Sequence, residues 1–214
     1  MRFAIRTNPV FQRSMEAAAL VIGVGLLLLA GGPICQAEPV EPARAEVPRA
    51  FAPVMAVEAA VVEVPRGVMA IAEDIARRFK VRKGIALSIS TEIFAAAESQ
   101  GIQPALVLAI VAVESHYQTN AVNRQSGAVG LMQVLPRFHQ QMVNAVGGDK
   151  QLLQIAPNIR VGSQIIAEYL GREGGNLKDA LGRYLGVGGA DIYFGRVRNL
   201  MQHFDQIITN AEPG

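Results

Sequence analysis

From about residue 66 onward, apolar positions recur at the spacing of amphipathic helices. Residues 67–79, 85–99 and 193–208 each carry an apolar stripe of this kind, which predicts three helices. Gly101 is expected to end the second of them, and Pro104 to begin another, because glycine suits a left-handed C-cap and proline suits a first helical turn. No segment alternates apolar and polar residues over any length, so the predicted fold class is all-α.

The stretch Ala105–Val113 consists of nine apolar residues. A helix that is apolar on every side has to be buried, and a segment this short cannot cross a bilayer. We therefore expect a core helix here. Three further helices are predicted over residues 131–146, after Asn158 and after Asn176, with the two asparagines as N-caps.

The first 37 residues have the features of an export signal. Three arginines precede the uncharged apolar stretch 17–34, and Cys35-Gln36-Ala37 offers small residues at the two positions that a signal peptidase reads. An uncleaved anchor is the alternative, since a stretch of about 18 residues is nearly long enough to span a bilayer. Residues 38–65 are rich in proline and predict a linker, which leaves 66–210 as the domain, exported to the periplasm or anchored in the inner membrane.

Charge and cysteine content narrow the possible functions. Of the 20 basic residues three precede Glu38, and of the 18 acidic residues one does, so 17 of each remain and cancel. A neutral domain argues against nucleic acid as a partner, and a membrane is expected only if the leader is retained. The single cysteine, Cys35, lies in the leader and the three histidines are scattered, so neither a metal nor another cofactor is expected.

Glu114 directly follows the apolar stretch, where an ionised carboxylate is costly unless it is paired or neutralised. Desolvation raises the pKa of a carboxyl group, and a carboxylic acid that stays protonated near neutral pH can protonate a glycosidic oxygen. The alternative interpretation is a helix-end glutamate that turns outward into water.

The residues after Glu114 resemble a known family. Val113-Glu114-Ser115-His116-Tyr117 is followed by Ser126-Gly127-Ala128-Val129-Gly130-Leu131-Met132-Gln133-Val134-Leu135-Pro136, and then by Pro157-Asn158-Ile159, Gly162, Tyr169-Leu170 and Ala180 to Gly186. In this order they resemble the lytic transglycosylase domain of the goose-lysozyme-like superfamily, over roughly residues 71–201. The resemblance implies a lysozyme-like helical domain that acts on peptidoglycan glycan strands without a cofactor.

Matched to the family residue by residue, the resemblance implies roles for five positions. Glu114 would be the catalytic acid and base, Ser115 would hydrogen-bond near the substrate, and Tyr184 would help hold the glutamate. Met132 would form an apolar cleft floor and Gln133 would line the cleft. Apart from the resemblance, Gly130 can adopt a positive φ, and without a Cβ it would let a bulky ligand approach the backbone. The family pattern is not complete, because Leu185 stands where asparagine is usual and Arg183 where alanine is common.

Between Glu114 and Asp149 the sequence has no other acidic residue, which favours a mechanism with one carboxylate over the usual pair. The resemblance implies cleavage between N-acetylmuramic acid and N-acetylglucosamine with a 1,6-anhydromuramyl product. A hydrolytic lysozyme and a non-catalytic peptidoglycan-binding scaffold are the alternatives. The short domain suits local wall opening for a secretion, conjugation or pilus apparatus.

Overall fold

Seven α-helices make up most of residues 64–186 and 188–211, the part of the chain that this computed structural model describes. The predicted leader and nearly all of the predicted linker lie outside these residues. Within the described ranges, no helix has the length and apolar character needed to cross a membrane. The helices are α1 Arg66–Phe79, α2 Lys83–Gln100, α3 Pro104–Ser115, α4 Gln140–Ala145, α5 Ile155–Arg172, α6 Leu177–Leu185 and α7 Ala190–Ala211.

Helix α3 is the centre of the core. Every residue from Ala105 to Ala112 is at most 3% exposed, as the unbroken apolar stretch predicts. Helices α2 and α7 pack against it, and α1 packs against both of them. Burying a side chain such as valine, leucine or isoleucine contributes about 1.5–3 kcal/mol, so α3 is a rigid support for whatever its last turn carries.

The predicted helix ends are largely confirmed. Gly101 adopts φ 63° and donates its N–H to the carbonyls of Ala97 and Glu98, which closes α2. Pro104 is the first residue of α3. Asn176 caps α6 by accepting the backbone N–H groups of the second and third helical residues, at 3.1 and 3.4 Å.

The predicted helix over 131–146 is wrong. Residues 131–134 form a turn closed by a bridge between Val129 and Val134, and a short 3-10 helix at Pro136–Phe138 then leads into α4. Proline disfavours the helical conformation in the residue before it, and Leu135 accordingly has φ −96° and ψ 98°. The helical pattern therefore could not continue through Pro136.

The prediction that Asn158 caps a helix is also wrong, because α5 begins three residues earlier, at Ile155. Asn158 is fully buried. Its Oδ1 accepts the N–H of Met132 at 2.8 Å, and its Nδ2 donates to the carbonyls of Val129 at 2.9 Å and Leu152 at 2.8 Å. One amide side chain thus bonds to three backbone groups, two of them buried, and fixes the turn to α5.

The all-α prediction is confirmed, with a minor addition in the loop after α3. Strands β1 Val122–Asn123 and β2 Ala128–Val129 pair antiparallel in a two-residue ladder. Such a small hairpin depends on its surroundings for stability. Here the carbonyl of Val129 is bonded to Asn158, which ties the hairpin to α5.

Candidate active site

Glu114 lies in the last turn of α3, partly buried, with its carboxylate at the edge of the core. The phenolic hydroxyl of Tyr193 donates a hydrogen bond to its Oε1 at 2.6 Å. Tyr193 is in the first turn of α7 and is 6% exposed. The packing of α7 against α3 therefore brings together two side chains that are 79 positions apart in sequence.

Burial and this hydrogen bond have opposite effects on the acidity of Glu114. Desolvation raises its pKa and is the larger effect, whereas the hydrogen bond from Tyr193 lowers it. The pKa of Tyr193 is itself raised, first by burial and then by the negative charge of Glu114. The Tyr193 phenol consequently stays protonated and remains a donor, which holds the Glu114 carboxyl group in one orientation. Desolvation, the larger effect, still keeps the pKa of this carboxyl group above its ordinary value.

Tyr184 does not contact the glutamate in the way the resemblance implies. Its hydroxyl donates to the carbonyl oxygen of Met132 at 2.8 Å. Its pKa is raised well above the ordinary value by burial and, second, by the charge of Glu114, so the two groups are neighbours without a hydrogen bond between them. Tyr184 thus holds the turn beside the site, while Tyr193 holds the carboxylate.

Gly130 begins that turn with φ 79°, a conformation that favours glycine. A Cβ at this position would lie 2.1 Å from Nδ2 of Asn158 and 2.3 Å from the carbonyl oxygen of Leu152. The protein's own interior therefore occupies the space that a side chain at Gly130 would need, and the approach of a ligand to this backbone stays a prediction.

Met132 is fully buried, which places its side chain in the core rather than on an open cleft floor. Helix α5 approaches it so closely that a Cβ on Gly162 would lie 2.4 Å from the methionine sulfur. Met132 contributes its backbone to the site. Its N–H donates to Asn158, and its carbonyl accepts the hydroxyl of Tyr184.

Gln133 is partly buried and adopts φ 47°. Its Nε2 donates to the carbonyls of Gly130 at 2.9 Å and Ala121 at 3.3 Å, which uses both amide hydrogens. Among the described residues, no donor hydrogen-bonds to the Oε1 of Gln133. The fixed amide therefore presents an acceptor, suited to a hydroxyl or an N-acetyl N–H of a sugar.

Ser115 is 5% exposed, and its hydroxyl donates to the carbonyl of Val111 one turn back in the same helix, at 3.1 Å. A serine in this arrangement is bonded to its own helix. It would have to change rotamer to reach a substrate, so its implied role near the substrate remains a prediction.

Comparison with known proteins places this geometry in a family. The family described as Transglycosylase SLT domain matches residues 91–192. Residues 91–192, just under half of the chain, thus match a transglycosylase SLT domain. This match supports the family to which the sequence pattern pointed, with Glu114 and the 130–133 turn inside the matched range and Tyr193 one residue beyond its end.

This chain is also similar to a solved structure, that of an inactive mutant of the lytic transglycosylase Slt from Pseudomonas aeruginosa. The sequences are 17% identical, and the TM-score is 0.43. The similarity covers 69% of this chain and 30% of that protein, so the chain spans less than a third of its length.

The chemistry available to the SLT domain is that of one carboxyl group. Among the described residues, no second carboxylate contributes to the pKa of Glu114. Within the same ranges there is also no group of three or more histidine, cysteine, aspartate or glutamate side chains placed to hold a metal ion. The Glu114 carboxyl group can donate one proton and later accept one at the same two oxygens.

Proposed function

We propose that this chain cleaves the β-1,4 bond between N-acetylmuramic acid and N-acetylglucosamine in peptidoglycan, with Glu114 as its sole acid and base. One observation is the main support for the proposal: Glu114 is partly buried at the end of an apolar helix, its pKa is raised by desolvation, and a protonated phenol orients it. The transglycosylase SLT domain at residues 91–192 supports the same reaction class.

In the first half of the reaction, the protonated Glu114 donates its proton to the glycosidic oxygen as the bond from muramyl C1 to that oxygen breaks. Glu114 becomes a carboxylate and the N-acetylglucosamine leaves with a new hydroxyl group. The negative charge is then stabilised by the hydrogen bond that Tyr193 already donates, so the proton donor needs no reorganisation during the step.

In the second half, the muramyl C6 hydroxyl attacks C1 of the same sugar. Its proton passes to the Glu114 carboxylate, which restores the acid and leaves a 1,6-anhydro ring. No water is consumed. Attack by the substrate's own hydroxyl requires only one protein carboxylate, whereas hydrolysing glycosidases generally use two. In support, no second carboxylate within the described part of the chain acts on the pKa of Glu114.

Replacement of Glu114 by Gln tests the assignment. The variant retains the shape and can still accept the hydrogen bond from Tyr193, but it has no proton to give. We expect cleavage of purified sacculi to be abolished in Glu114→Gln and unchanged in Glu92→Gln, a matched change of another partly buried glutamate, on α2.

Mass spectrometry of the products separates the alternatives. Anhydromuramyl ends are lighter by one water than the reducing ends that a lysozyme would leave, so reducing ends from the wild-type chain would replace the proposal with hydrolysis. Binding to sacculi without any cleavage would favour a scaffold instead, which Leu185 in the place of the family's usual asparagine makes worth testing.

Location and partners form a separate part of the proposal. We propose that the chain works in the periplasm and opens the wall locally for a secretion, conjugation or pilus apparatus. The predicted leader at residues 1–37 and linker at 38–65 support this by providing export and reach. Cell fractionation of the tagged full chain would locate it, and a cytoplasmic protein would contradict the proposal.

A further inference from the structure

A short basic segment joins α1 to α2. Five of the seven residues from Arg77 to Lys83 are basic, and all five are exposed. On α7, the exposed Arg196 lines a cavity of about 400 Å³ together with Phe79 of this segment, which places a sixth cation beside the other five. This cluster, here called the basic patch, consists of Arg77, Arg78, Lys80, Arg82, Lys83 and Arg196.

The basic patch is largely unneutralised. The buried carboxylate of Asp74 pairs with Arg77 at 2.7 Å and lies 4.0 Å from Arg78. The other four cations of the patch have no ion-pair partner within residues 64–186 and 188–211. The charges that cancel over residues 38–214 are also unevenly divided, since residues 66–210 have 15 basic and 11 acidic side chains. Six of those 15 cations belong to the patch, which therefore accounts for the whole positive excess of the domain.

The apolar residues between these cations indicate which kind of anion the patch fits. Phe79 packs edge to face on Tyr117, with ring centroids 4.6 Å apart, and both Phe79 and Val81 pack against the core. Neither is therefore the exposed aromatic on which a nucleic-acid base stacks, nor the apolar anchor typical of a protein interface. Exposed cations without such an anchor suit a fluid surface whose anionic groups can rearrange around them, as a lipid membrane provides.

We propose that the basic patch docks the domain on a membrane that contains anionic lipids, with its cations among the headgroups and no insertion into the hydrocarbon. Clusters of about four to eight basic residues are typical of surfaces that bind anionic lipid. The predicted linker joins the domain at the start of α1, and a helix of 14 residues is about 21 Å long, so the patch lies one helix length from that junction. Stable membrane attachment generally takes two signals, and the patch supplies a second one beside a retained leader.

The test measures how close the patch lies to the membrane when the full chain is reconstituted in vesicles. The predicted leader should attach the chain to any vesicle, so the readout has to be the position of the domain. A fluorophore on Gly84→Cys, beside the patch, is quenched by spin-labelled lipid, in a Cys35→Ser background that leaves the label on the only thiol. Vesicles of phosphatidylcholine are compared with an equimolar mixture of phosphatidylcholine and phosphatidylglycerol. Gly171→Cys on α5 carries the control label, because a Cβ at either glycine meets nothing within 4 Å.

Two triple variants separate the patch from the net charge of the chain, because both remove three positive charges. One replaces three unpaired cations of the patch: Lys80→Gln, Arg82→Gln and Lys83→Gln. The other replaces three exposed cations that lie outside the patch and have no ion pair among the described residues: Arg124→Gln, Lys150→Gln and Arg160→Gln.

We expect phosphatidylglycerol to increase quenching at position 84 and to leave it unchanged at position 171. The patch variant should lower the docking constant on the mixed vesicles by about 100-fold, since each cation near an anionic surface contributes roughly a fivefold factor. The control variant should dock like the wild type, and docking of the wild type should weaken at high salt.

Three outcomes would overturn the proposal. Equal loss of docking in both triple variants would show that net charge alone draws the domain to the membrane. Equal quenching at positions 84 and 171 would show that the domain has no preferred orientation there. Quenching at position 84 that does not respond to phosphatidylglycerol would exclude anionic lipid and leave an acidic protein as the partner of the patch. No substrate enters the test, so its result is independent of the proposed cleavage.

Discussion

Replacing Tyr193 by Phe removes one hydroxyl group and leaves the ring in place. That hydroxyl donates to Glu114 Oε1 at 2.6 Å and lowers the pKa of the carboxyl group against the larger effect of burial. A hydrogen bond to a charged group contributes about 1.5–3 kcal/mol, and one pKa unit corresponds to about 1.4 kcal/mol. Because Glu114 is only partly buried, we take the lower end, about 1.5 kcal/mol, and expect its pKa to rise when this hydrogen bond is removed.

The direction of the change in activity follows from the acid role proposed for Glu114. Cleavage needs the protonated carboxyl group, so kcat/KM falls on the alkaline side as Glu114 in the free enzyme loses its proton. A higher pKa keeps the group protonated to a higher pH. Tyr193→Phe should therefore move the alkaline limb of the profile to higher pH, while the maximal rate falls because the carboxyl group is less well oriented.

The measurement is kcat/KM on soluble glycan strands from pH 4 to 9, chosen to span the ordinary glutamate pKa and well above it. Tyr184→Phe is the matched control: it also removes a buried phenol oxygen, but that oxygen bonds to the carbonyl of Met132 and not to Glu114. An alkaline limb that stays in place or moves to lower pH in Tyr193→Phe would refute the reasoning. A shift of equal size in Tyr184→Phe would show that the effect is not specific to the hydrogen bond.

Three further predictions concern stability. Burial raises the folded-state pKa of Glu114, so ionising this group costs stability as the pH rises through that pKa. Glu114→Gln should therefore melt at a higher temperature than the wild type at pH 7. Calorimetry should find no such difference below about pH 4, where the carboxyl group is protonated in both the folded and the unfolded chain. Asn158→Ala leaves the buried N–H of Met132 and carbonyl of Leu152 unpaired and should cost about 2 kcal/mol or more in urea unfolding, against about 1 kcal/mol for the exposed cap in Asn176→Ala. Equal losses would contradict the role of the buried amide. Gly162→Ala forces a methyl group against the buried sulfur of Met132 and should lower the free energy of unfolding by about 1–3 kcal/mol. Gly171→Ala is the control on the same helix: its methyl group meets nothing within 4 Å and should raise the free energy of unfolding by about 0.5–1 kcal/mol. A stabilised Gly162→Ala would show that the contact relaxes freely.

Sequence reasoning located the catalytic candidate because its signal is local. An acidic residue directly after nine apolar ones is visible without any knowledge of the fold, and the burial of Ala105–Ala112 follows from the same stretch. The helix ends at Gly101, Pro104 and Asn176 were predictable for the same reason, since each depends on one residue and its immediate neighbours.

What the sequence could not give is the partner of each polar group across the fold. Tyr193 was expected only as part of the apolar stripe of the last helix, and no local signal distinguishes a phenol that packs from one that donates to a carboxylate far away in sequence. Asn158 looked like a helix cap because asparagine favours caps, whereas its amide is used inside α5 to bind a turn that begins 28 residues earlier, at Gly130. Met132 shows the opposite case, in which a residue placed in the cleft by resemblance lies in the core.

The hydrogen bond between Tyr193 and Glu114 can form only after α7 has been synthesised, because α3 comes first in the chain. Glu114 leaves the ribosome long before Tyr193, so a nascent chain carries the carboxyl group without the phenol that orients it until α7 docks. Under the proposed function, a chain that lacks α7 would hold Glu114 in a less defined orientation and cleave glycan strands more slowly.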